Sequence, residues 1–465
     1  MGIAAMGGPG MARAPLLDAV ELLRRLIQSQ CVNDGSVDSG QEVRNADLLE
    51  GFLGGVGLQF RRFEPAPGRV SLLARLQGSD PSAPTLLLVG HTDVVPATAS
   101  DWRHDPFGGE IIDGEIWGRG ALDMLSSTAT MAVAIRELAR RPRPPAGDVL
   151  FLAEADEESA GTWGAKWIAE HEPEALRADY ALTEAAGYRL PLPTRDGAIP
   201  IQVAIGERGL HWCRLTIRGR GGHGSEIVGA RNATVIAAEV VRRLMAGQPP
   251  AVLGDAWHAF VAALDPPPEL ASVWLDPDRV AEQLAALGAP MSGALHIITH
   301  TTIMPTTLRS GTKVNVVPDR AELELDIRTL PGHGSEEVRG FIRDALGDLA
   351  DAVEVAFLVE DPASTSPVSS PLFEAVGRTI ERLVPGSRPV PSLFLGGATD
   401  ARFLRRLGVT AYGAGLFSDR IPLGDMFRMV HGIDERIDID SVSLLTAFWA
   451  GVADALAWLP FSPRG

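Results

Sequence analysis

The chain has 465 residues, of which 45% are hydrophobic, and its 42 Lys and Arg against 59 Asp and Glu give a formal net charge of −17. At about 150 residues per domain, this length and apolar content predict a globular protein of roughly two to three domains. The acidic surplus argues against nucleic acid as a partner, because binding to the phosphate backbone depends on clustered Lys and Arg.

Helical and strand patterns alternate in the first 200 residues. Residues 16–27 and 127–140 space their apolar side chains as amphipathic or buried helices do. Short apolar or β-branched runs at 70–75, 85–90 and 149–153 predict strands. This alternation favours an α/β layer structure, in which ligands gather where strands end in loops.

The pattern changes after residue 200. It becomes strand, helix, strand, strand, helix, strand, which is the βαββαβ order of a ferredoxin-like domain. These elements are predicted at 211–218, 232–245, 295–302, 321–328, 335–349 and 353–358. A Pro-rich stretch with helical segments, 248–293, interrupts the series. Residues 362–371 are predicted as a linker back to helices at 372–383 and from 396.

Cysteine content and hydropathy bear on the compartment. The chain has only Cys31 and Cys213, too few for a disulfide framework, so a reducing compartment is expected. The first ten residues lack the basic start of a secretory signal. Residues 447–459 are apolar but contain Asp454, and they predict a buried helix. We therefore expect a soluble cytoplasmic protein with no membrane partner.

Several motifs place acids and histidines next to predicted strands or Gly-rich loops. In the GHTDVVP motif, His91 is a candidate metal ligand and Asp93 a candidate acid to orient it. The Gly-rich loop 118–124 carries Asp123 in front of a helix. The three consecutive acids within 155–161 follow an apolar strand, where they would repel one another unless they share a cation or a proton. A solvated acidic turn is the alternative interpretation.

Glu184, after an apolar run, and His431, late in the chain, complete a mixed set of ligands. Imidazole and carboxylate ligands suit zinc, cobalt or manganese, and a carboxylate that bridges two metals makes a site that clamps a water between them. Glu157 is left over, and a carboxylate beside such a water can act as general base. The candidate ligands are His91, Asp123, Glu158, Glu184 and His431.

Together these motifs resemble the co-catalytic two-zinc aminoacylase and exopeptidase family. That family includes acetylornithine deacetylase, succinyl-diaminopimelate desuccinylase, carboxypeptidases G and S, and the aminoacylases. The resemblance covers nearly the whole chain from about residue 16. It rests on the ordered motifs GHTDVVP, DPFGG…DGEIWGRGALDM, DEESAG, GGHGS, NVVPDRAELELDIR, GGATDARF and HGIDE.

The resemblance implies a fold and an assembly. The expected fold class is α/β, with a zinc-exopeptidase-like catalytic α/β/α domain interrupted by an inserted ferredoxin-like lid, usually the part that forms a homodimer. The corresponding bounds are 1–200 and 361–465 for the catalytic domain and 201–360 for the lid.

It also implies a role for each candidate metal ligand. His91 and Glu184 would hold one divalent ion, Glu158 and His431 the other, and Asp123 would bridge them. Zn²⁺ is the expected metal, with Co²⁺ or Mn²⁺ as alternatives.

For the remaining candidates the resemblance implies catalytic or substrate-binding roles. Asp93 matches the acid that orients a histidine ligand, and Glu157 matches the general base. His223 in GGHGS matches a lid residue that stabilises the oxyanion, commonly across the dimer. Asn315 and Arg328 match lid positions that bind the substrate, and Asp400 lies in a GGATD loop that lines the pocket.

Alternative interpretations exist for some of these residues. The GRGGHG sequence at 219–224 satisfies a dinucleotide-binding GxGxxG pattern, but no helix follows it immediately. Arg328 could instead pair with Asp326 or Glu324 on a half-exposed strand. Leu125 is a departure, because many relatives have Lys at this position.

We therefore predict a metal-dependent hydrolase of the amide bond in a small carboxylate-bearing substrate, above all an N-acyl amino acid. A carboxypeptidase or dipeptidase would use the same metals and base. A catalytically silent binding protein is the alternative of another class. The inserted stretch resembles the longer members of the family and hints at an apolar acyl or side-chain pocket.

Overall fold

The computed structural model of the protein describes residues 13–225, 227–289, 291–394 and 397–456. The first ten residues, Gly396 and residues 457–459 of the predicted C-terminal helix lie outside these ranges. The helices are α1 (Arg13–Gln28), α2 (Val43–Leu53), α3 (Leu125–Ala139), α4 (Ala165–His171), α5 (Ala233–Ala246), α6 (Asp255–Leu264), α7 (Pro268–Trp274), α8 (Val280–Ala286), α9 (Met291–Thr299), α10 (Ser335–Leu346), α11 (Pro371–Leu383), α12 (Ala401–Arg406), α13 (Leu423–Met429) and α14 (Ile439–Leu456).

The strands are numbered in the same way along the chain. They are β1 (Gln59–Ala66), β2 (Arg69–Leu76), β3 (Leu86–His91), β4 (Glu110–Ile112), β5 (Glu115–Trp117), β6 (Val149–Glu154), β7 (Tyr180–Thr183), β8 (Ile199–Glu207), β9 (Gly209–Leu210), β10 (Cys213–Arg218), β11 (Gly222–His223), β12 (Thr302–Ser310), β13 (Val316–Val317), β14 (Arg320–Thr329), β15 (Val353–Phe357), β16 (Ser364–Thr365), β17 (Ser387–Leu393), β18 (Thr410–Gly413) and β19 (Arg436–Asp438).

A large mixed sheet forms the centre of the catalytic part. Its strand order in the described residues is β1-β2-β6-β3-β7-β18-β8-β16, with β17 pairing with β8. Strands β6, β3, β7 and β18 run parallel, so their carboxyl ends meet at one edge. Strands β3 and β6 are buried along their whole length, as expected for strands covered on both faces.

Helices cover both faces of this sheet. One face packs against α1, α3, α11 and α14, with Leu23, Ile135, Ile380 and Trp449 in its core. The other face packs against α4 and α12 through Ile168 and Leu404. The predicted α/β/α arrangement is thus confirmed.

Helix α14 is long and apolar enough to cross a membrane by length and composition alone. In the structure, however, 61% of it is buried, and it packs between α3 and α11. It is therefore a core helix of the catalytic part, as the apolar run containing Asp454 predicted.

The lid is a second, antiparallel sheet with the order β12-β14-β10-β15. Helices α5 and α10 pack on it through Val240, Leu244 and Ile342. In chain order these elements read βαββαβ, as predicted. The expected boundary at residue 200 falls inside β8, which pairs in the large sheet, and the predicted linker at 362–371 contains β16, which pairs with β8.

The strand predicted at 295–302 is wrong. Residues 291–299 form helix α9, and the strand, β12, begins at Thr302. An apolar run such as Leu-His-Ile-Ile fits a buried strand and a buried helix equally well. The inward positions Met291, Ala294, Leu295 and Ile298 follow the helical spacing of three and four, and they are buried.

The inserted stretch forms four helices, α6 to α9, around their own apolar cluster. Trp257 and Trp274 are fully buried there, and Trp257 Nε1 donates a hydrogen bond to the Trp274 carbonyl at 2.8 Å. The same cluster includes Leu190 and Leu393 from the catalytic part and Leu330 from the lid. The insertion therefore joins the cores of both parts.

Replacing Trp257 with Ala is expected to reduce the free energy of unfolding by about 3–5 kcal/mol, because it removes a buried indole from a closed cluster. The change should appear as a lower midpoint of urea unfolding. Trp212→Ala is the matched control, since Trp212 is 41% exposed. Equal midpoints for the two variants would contradict a packed core in the insertion.

Candidate active site

The carboxyl ends of three neighbouring parallel strands carry most of the candidate ligands. His91 is the last residue of β3, Glu157 and Glu158 lie in a 3₁₀ turn after β6, and Glu184 directly follows β7. Because β6, β3 and β7 are adjacent in the sheet, their ends deliver these side chains to one place. Loop residues Asp123 and His431 complete the group.

Asp123 lies at the centre of the site. Its Oδ1 is 3.2 Å from His91 Nε2, and its Oδ2 is 3.2 Å from His431 Nε2. Glu184 Oε2 is 3.8 Å from His91 Nε2, and Glu158 Oε2 is 3.0 Å from His431 Nε2. One carboxylate is thus shared by two three-residue groups, as a bridging ligand would be.

The close approach of acids and imidazoles shifts their pKa values. Hydrogen bonds to Asp123 and then Glu158 raise the pKa of His431 to about 10. Burial alone would lower the pKa of His91, but its hydrogen bond to Asp123 and the charge of Glu184 raise it well above its ordinary value. Burial, followed by the charge of Asp123, raises the pKa of Glu184. Without a metal, the imidazolium charges therefore balance the acids.

Glu435 holds the loop that carries Asp123. Its carboxylate accepts hydrogen bonds from the backbone N–H groups of Leu122 and Asp123 at 2.8 and 3.0 Å, and from Arg119 Nη1 at 2.7 Å. Arg119 also donates to the Gly432 carbonyl at 2.7 Å. This buried pair fastens the Asp123 loop to the His431 loop. The HGIDE motif contained Glu435, but its role was not predicted.

Asp93 supports His91 and the turn that carries Glu157 and Glu158. It accepts hydrogen bonds from the N–H groups of Glu157 and Glu158 at 3.3 and 3.2 Å, and its Oδ1 lies 3.6 Å from His91 Nδ1. The closer partner of His91 Nδ1 is the Asp93 carbonyl, at 2.9 Å. Asp93 thus contacts both the histidine ligand and the turn that carries the acids, which is how an outer partner fixes a ligand's orientation.

Asn33 continues this support into the core. Its Nδ2 donates to Asp93 Oδ2 at 2.8 Å and to Asp156 Oδ1 at 2.9 Å. Asp156 also pairs with Arg69, a fully buried guanidinium that contacts Glu42 at 3.0 Å. Sequence reasoning missed Asn33 and Arg69, because neither lies in a recognisable motif.

Half-buried Glu157 and buried Asp400 are two further acids that influence each other beside this cluster. Burial, and then the charge of Asp400, raise the pKa of Glu157 well above its ordinary value. Asp400 is 2% exposed, and its nearest cation is Arg402 Nη2 at 3.4 Å. Burial raises the pKa of Asp400 to about 7, against the charge of Arg402. Asp400 is therefore a buried acid whose charge acts on the general-base candidate, and it does not face open solvent.

His223 and Asn315 lie together at a two-stranded ribbon of the lid, formed by segments that are distant in the chain. Strands β11 and β13 pair there, and the Gly224 N–H donates to the Asn315 carbonyl at 2.9 Å. Both residues are exposed, and His223 Nδ1 lies 2.8 Å from Ser225 Oγ. Among the described residues, no hydrogen bond or ion pair joins this ribbon to the five candidate ligands.

Arg328 and Arg208 form a cationic pair between the lid and the GGATD loop. Arg328 binds Asp326 through Nε and Nη2 at 2.7 and 3.1 Å, so the alternative partner exists. Its Nη1 does not take part in this pair. It lies next to Gly397, 3.8 Å from the point that a Cβ on this glycine would occupy. Arg208 is 7% exposed and pairs with no carboxylate of the described chain, and burial followed by the charge of Arg328 lowers its pKa to about 10. Sequence reasoning missed Arg208, although it directly precedes the lid.

The residues present fit two divalent cations. In each of the two groups that share Asp123, the candidate ligand atoms lie within 4.8 Å of one another. Glu158 Oε1 is buried without a hydrogen-bond partner in the described structure, so it is available as a ligand atom. Two imidazoles and three carboxylates are a donor set typical of zinc, cobalt or manganese.

Comparison with known proteins agrees with the family resemblance of the sequence motifs. The profile of peptidase family M20/M25/M40 matches residues 87–455. A succinyl-diaminopimelate desuccinylase from Rhodospirillum centenum is 28% identical over 454 residues, covering 94% of this chain and 97% of that protein. The N-fatty-acyl-amino acid synthase/hydrolase PM20D1 of Xenopus tropicalis is 28% identical over 398 residues, covering 82% and 74%.

Solved structures show the same fold. The M20 family metallo-carboxypeptidase Sso-CP2 from Sulfolobus solfataricus superposes with a TM-score of 0.68 at 20% identity, covering 97% of this chain and all of that one. Human carnosine dipeptidase 1 superposes with a TM-score of 0.67 at 17% identity, covering 96% and 97%.

Metal loading is expected to release protons, because a metal must displace the proton that the raised pKa keeps on His431. Since this pKa lies near 10 instead of 6.5, the charged imidazole stabilises the metal-free protein below pH 6.5, and that stabilisation is lost as the pH rises through 10. Metal affinity should therefore increase with pH over this interval.

Calorimetric titration with Zn²⁺ at pH 7.5, in two buffers of different ionisation enthalpy, measures the proton release. His431→Gln should release fewer protons than the unmodified protein. His258→Gln, at an exposed histidine, should behave like the unmodified protein. Identical heats in both buffers would show that no proton leaves.

Proposed function

The chain belongs to peptidase family M20/M25/M40, a family of amide-bond hydrolases, and on this basis we propose that it hydrolyses N-acyl amino acids. The observation that carries the proposal is the Asp123 carboxylate shared by two ligand groups, with Glu157 directly beside them. Its similarity to a desuccinylase and to an N-fatty-acyl-amino acid hydrolase over most of the chain supports the deacylase assignment.

For the cofactor we propose two Zn²⁺ ions. His91 and Glu184 would hold one ion, Glu158 and His431 the other, and Asp123 would be shared between the two groups. When bound, such ions polarise the amide carbonyl and lower the pKa of a water molecule. Asp93 keeps His91 in position through its contacts with the ring and with the turn that carries Glu158.

Glu157 transfers the proton of the attacking water. Its carboxylate takes a proton from the attacking water and returns it to the nitrogen that leaves. Burial and the charge of Asp400 raise the pKa of Glu157, which makes its carboxylate a stronger proton acceptor than an ordinary glutamate. The reaction needs no covalent intermediate with the protein.

The two arginines are proposed to bind the free carboxylate of the substrate. Arg208 has donors without a carboxylate partner, and Arg328 Nη1 is turned toward the Gly397 loop. The two guanidinium groups carry two positive charges, and Asp326 supplies only one negative charge. The net positive charge that is left can bind an anion such as a carboxylate. Asn315 would contribute from the two-stranded ribbon of the lid.

We further propose that the lid forms a homodimer, so that His223 of one copy stabilises the oxyanion in the site of the other. The exposed position of His223 supports this, because in the described part of the chain its side chain contacts Ser225 and none of the candidate ligands. Strand β12 is an edge of the lid sheet and exposes Met304 and Leu308 at 52% and 47%. An apolar edge strand is suited to pairing with a second copy.

Cytoplasmic localisation remains part of the proposal. Cys31 and Cys213 are both buried and unpaired, which is consistent with a reducing compartment.

Glu157→Ala is expected to lower kcat by about 10²–10⁴-fold, the usual contribution of a general base, while the metal content stays unchanged. The assay measures release of free amine from N-acyl amino acids and dipeptides by the zinc-loaded protein. Glu170→Ala, at an exposed glutamate on α4, should retain full activity.

Near-normal turnover by Glu157→Ala would refute the role of this residue. Activity confined to dipeptides would favour a peptidase. A protein that holds metal but turns over no substrate would favour a silent binding protein.

Leu308→Arg is expected to convert a dimer into a monomer and to lower turnover at least tenfold without loss of metal. Light scattering gives the mass, and the amine assay gives the activity. Leu358→Arg is the matched control, because Leu358 is 49% exposed next to β15, at the opposite edge of the lid sheet. Full activity of a monomeric Leu308→Arg protein would exclude a contribution of His223 across the dimer.

A further inference from the structure

An apolar cavity of about 270 Å³ opens directly beside the candidate ligands. Asp123 and Glu184 form one wall. The other walls come from the segments after β7 and β18, from α13 and from the end of β17, and they include Tyr188, Phe394 and Phe417. The cavity therefore begins where the scissile amide is expected to lie.

The aromatic side chains that line the cavity pack against one another. Tyr188 stacks on Phe417 with ring centroids 5.0 Å apart and meets the edge of Phe427 at 5.8 Å. Such pairs contribute beyond the area they bury and fix ring orientation. Phe427 also packs against the insertion cluster from behind, so the cavity has a preformed shape.

Away from the candidate ligands, the cavity offers no partner for an acidic group. Asp123 and Glu184 are its only charged lining groups in the described residues, and no Lys, Arg or His of that part of the chain lines it. The proposed ions would be held at the wall formed by Asp123 and Glu184, so a second carboxylate placed against the aromatic walls, such as that of a succinyl group, would find no cation there, at a high desolvation cost. The cationic pair of Arg208 and Arg328 is not part of this lining.

The volume limits the size of the occupant. A dry apolar cavity of about 150 Å³ holds a benzene molecule, so 270 Å³ holds a phenyl ring with two or three further atoms, or an alkyl chain of similar bulk. Whole-ligand pockets measure about 300–1,000 Å³. The cavity is thus at the small end of ligand pockets and has room for one apolar group of a substrate.

We propose that this cavity selects substrates with a neutral apolar group, aromatic or medium-chain alkyl, attached next to the scissile amide. The inference rests on the proposed amide hydrolysis and specifies its substrate class. Tyr188, Phe417 and Phe427 determine the specificity by their apolar surface. The group can belong to the acyl half or to the amino acid side chain, since both flank the same amide.

Substrates that differ in one group at a time test the proposal. The zinc-loaded protein is assayed on the acetyl, hexanoyl, benzoyl and succinyl derivatives of alanine and on N-acetyl-phenylalanine. A pocket built for apolar groups discriminates by about tenfold or more per group. We expect kcat/KM for at least one apolar substrate to exceed that for N-acetyl-alanine about tenfold and that for N-succinyl-alanine about a hundredfold. The preferred substrate identifies which half enters the cavity.

Variants of the lining connect the preference to this cavity. Ser127, 4% exposed on its wall, is replaced by Leu to fill it, which should reduce the apolar-to-acetyl ratio of kcat/KM at least tenfold. Phe427→Ala enlarges the cavity and should move the preference toward longer chains, so that one variant remains informative if the other fails to fold. Ser272→Leu, at an exposed helical serine, should keep the original ratio.

The outcomes separate this inference from the proposed function. Turnover without a preference for apolar groups, a preference for succinyl, or a ratio that neither lining variant changes would overturn the cavity assignment and leave amide hydrolysis intact. Failure to hydrolyse any of the five substrates, with metal bound, would overturn both.

Discussion

Mutual repulsion among buried carboxylates is the constraint on which the architecture of the site depends. Asp123, Glu158 and Glu184 meet in one space, with Glu157 and Asp400 just behind them. Removed from water, such charges are unfavourable unless cations or hydrogen-bond donors balance them. Two imidazoles supply the balance in the protein alone, and two divalent ions would supply more of it. The site is therefore built to attract metal.

Two further acids, Glu435 and Asp93, stabilise this arrangement by accepting hydrogen bonds from the backbone of the segments that carry the ligands. The N–H groups of the Asp123 loop converge on Glu435, and those of the turn after β6 converge on Asp93. Arg119 and Arg69 carry the positive charge of this outer layer. The Asp123 loop and the turn after β6 are thus each held by an acid that accepts backbone hydrogen bonds, in addition to the contacts that the ligands make with one another.

The strand-end motifs could be located from the sequence, because apolar runs identify buried strands and parallel strands bring their carboxyl ends together. That logic, with the resemblance, predicted the family, the fold class and the hydrolase class, all of which are confirmed. Helix α9 was mistaken for a strand, since a short apolar run carries no periodicity that separates the two. The partners Asn33 and Arg208 could not be predicted, because their importance comes from contacts between distant segments. The same holds for the aromatic cavity, whose walls come from residues with no common pattern.

The insertion has a mechanical consequence. Helices α6 to α9 bury their tryptophans in one cluster with Leu393 of the large sheet and Leu330 of the lid, and α6 lies along β17. A lid that swung open like a flap would expose this cluster to water, at about 25 cal/mol for each Å² of apolar surface. Packed interfaces of this kind tolerate sliding by small displacements more readily than separation. The insertion thus adds an apolar contact to the two chain crossings, and separating the lid from the large sheet would expose the surface that Leu330 buries there.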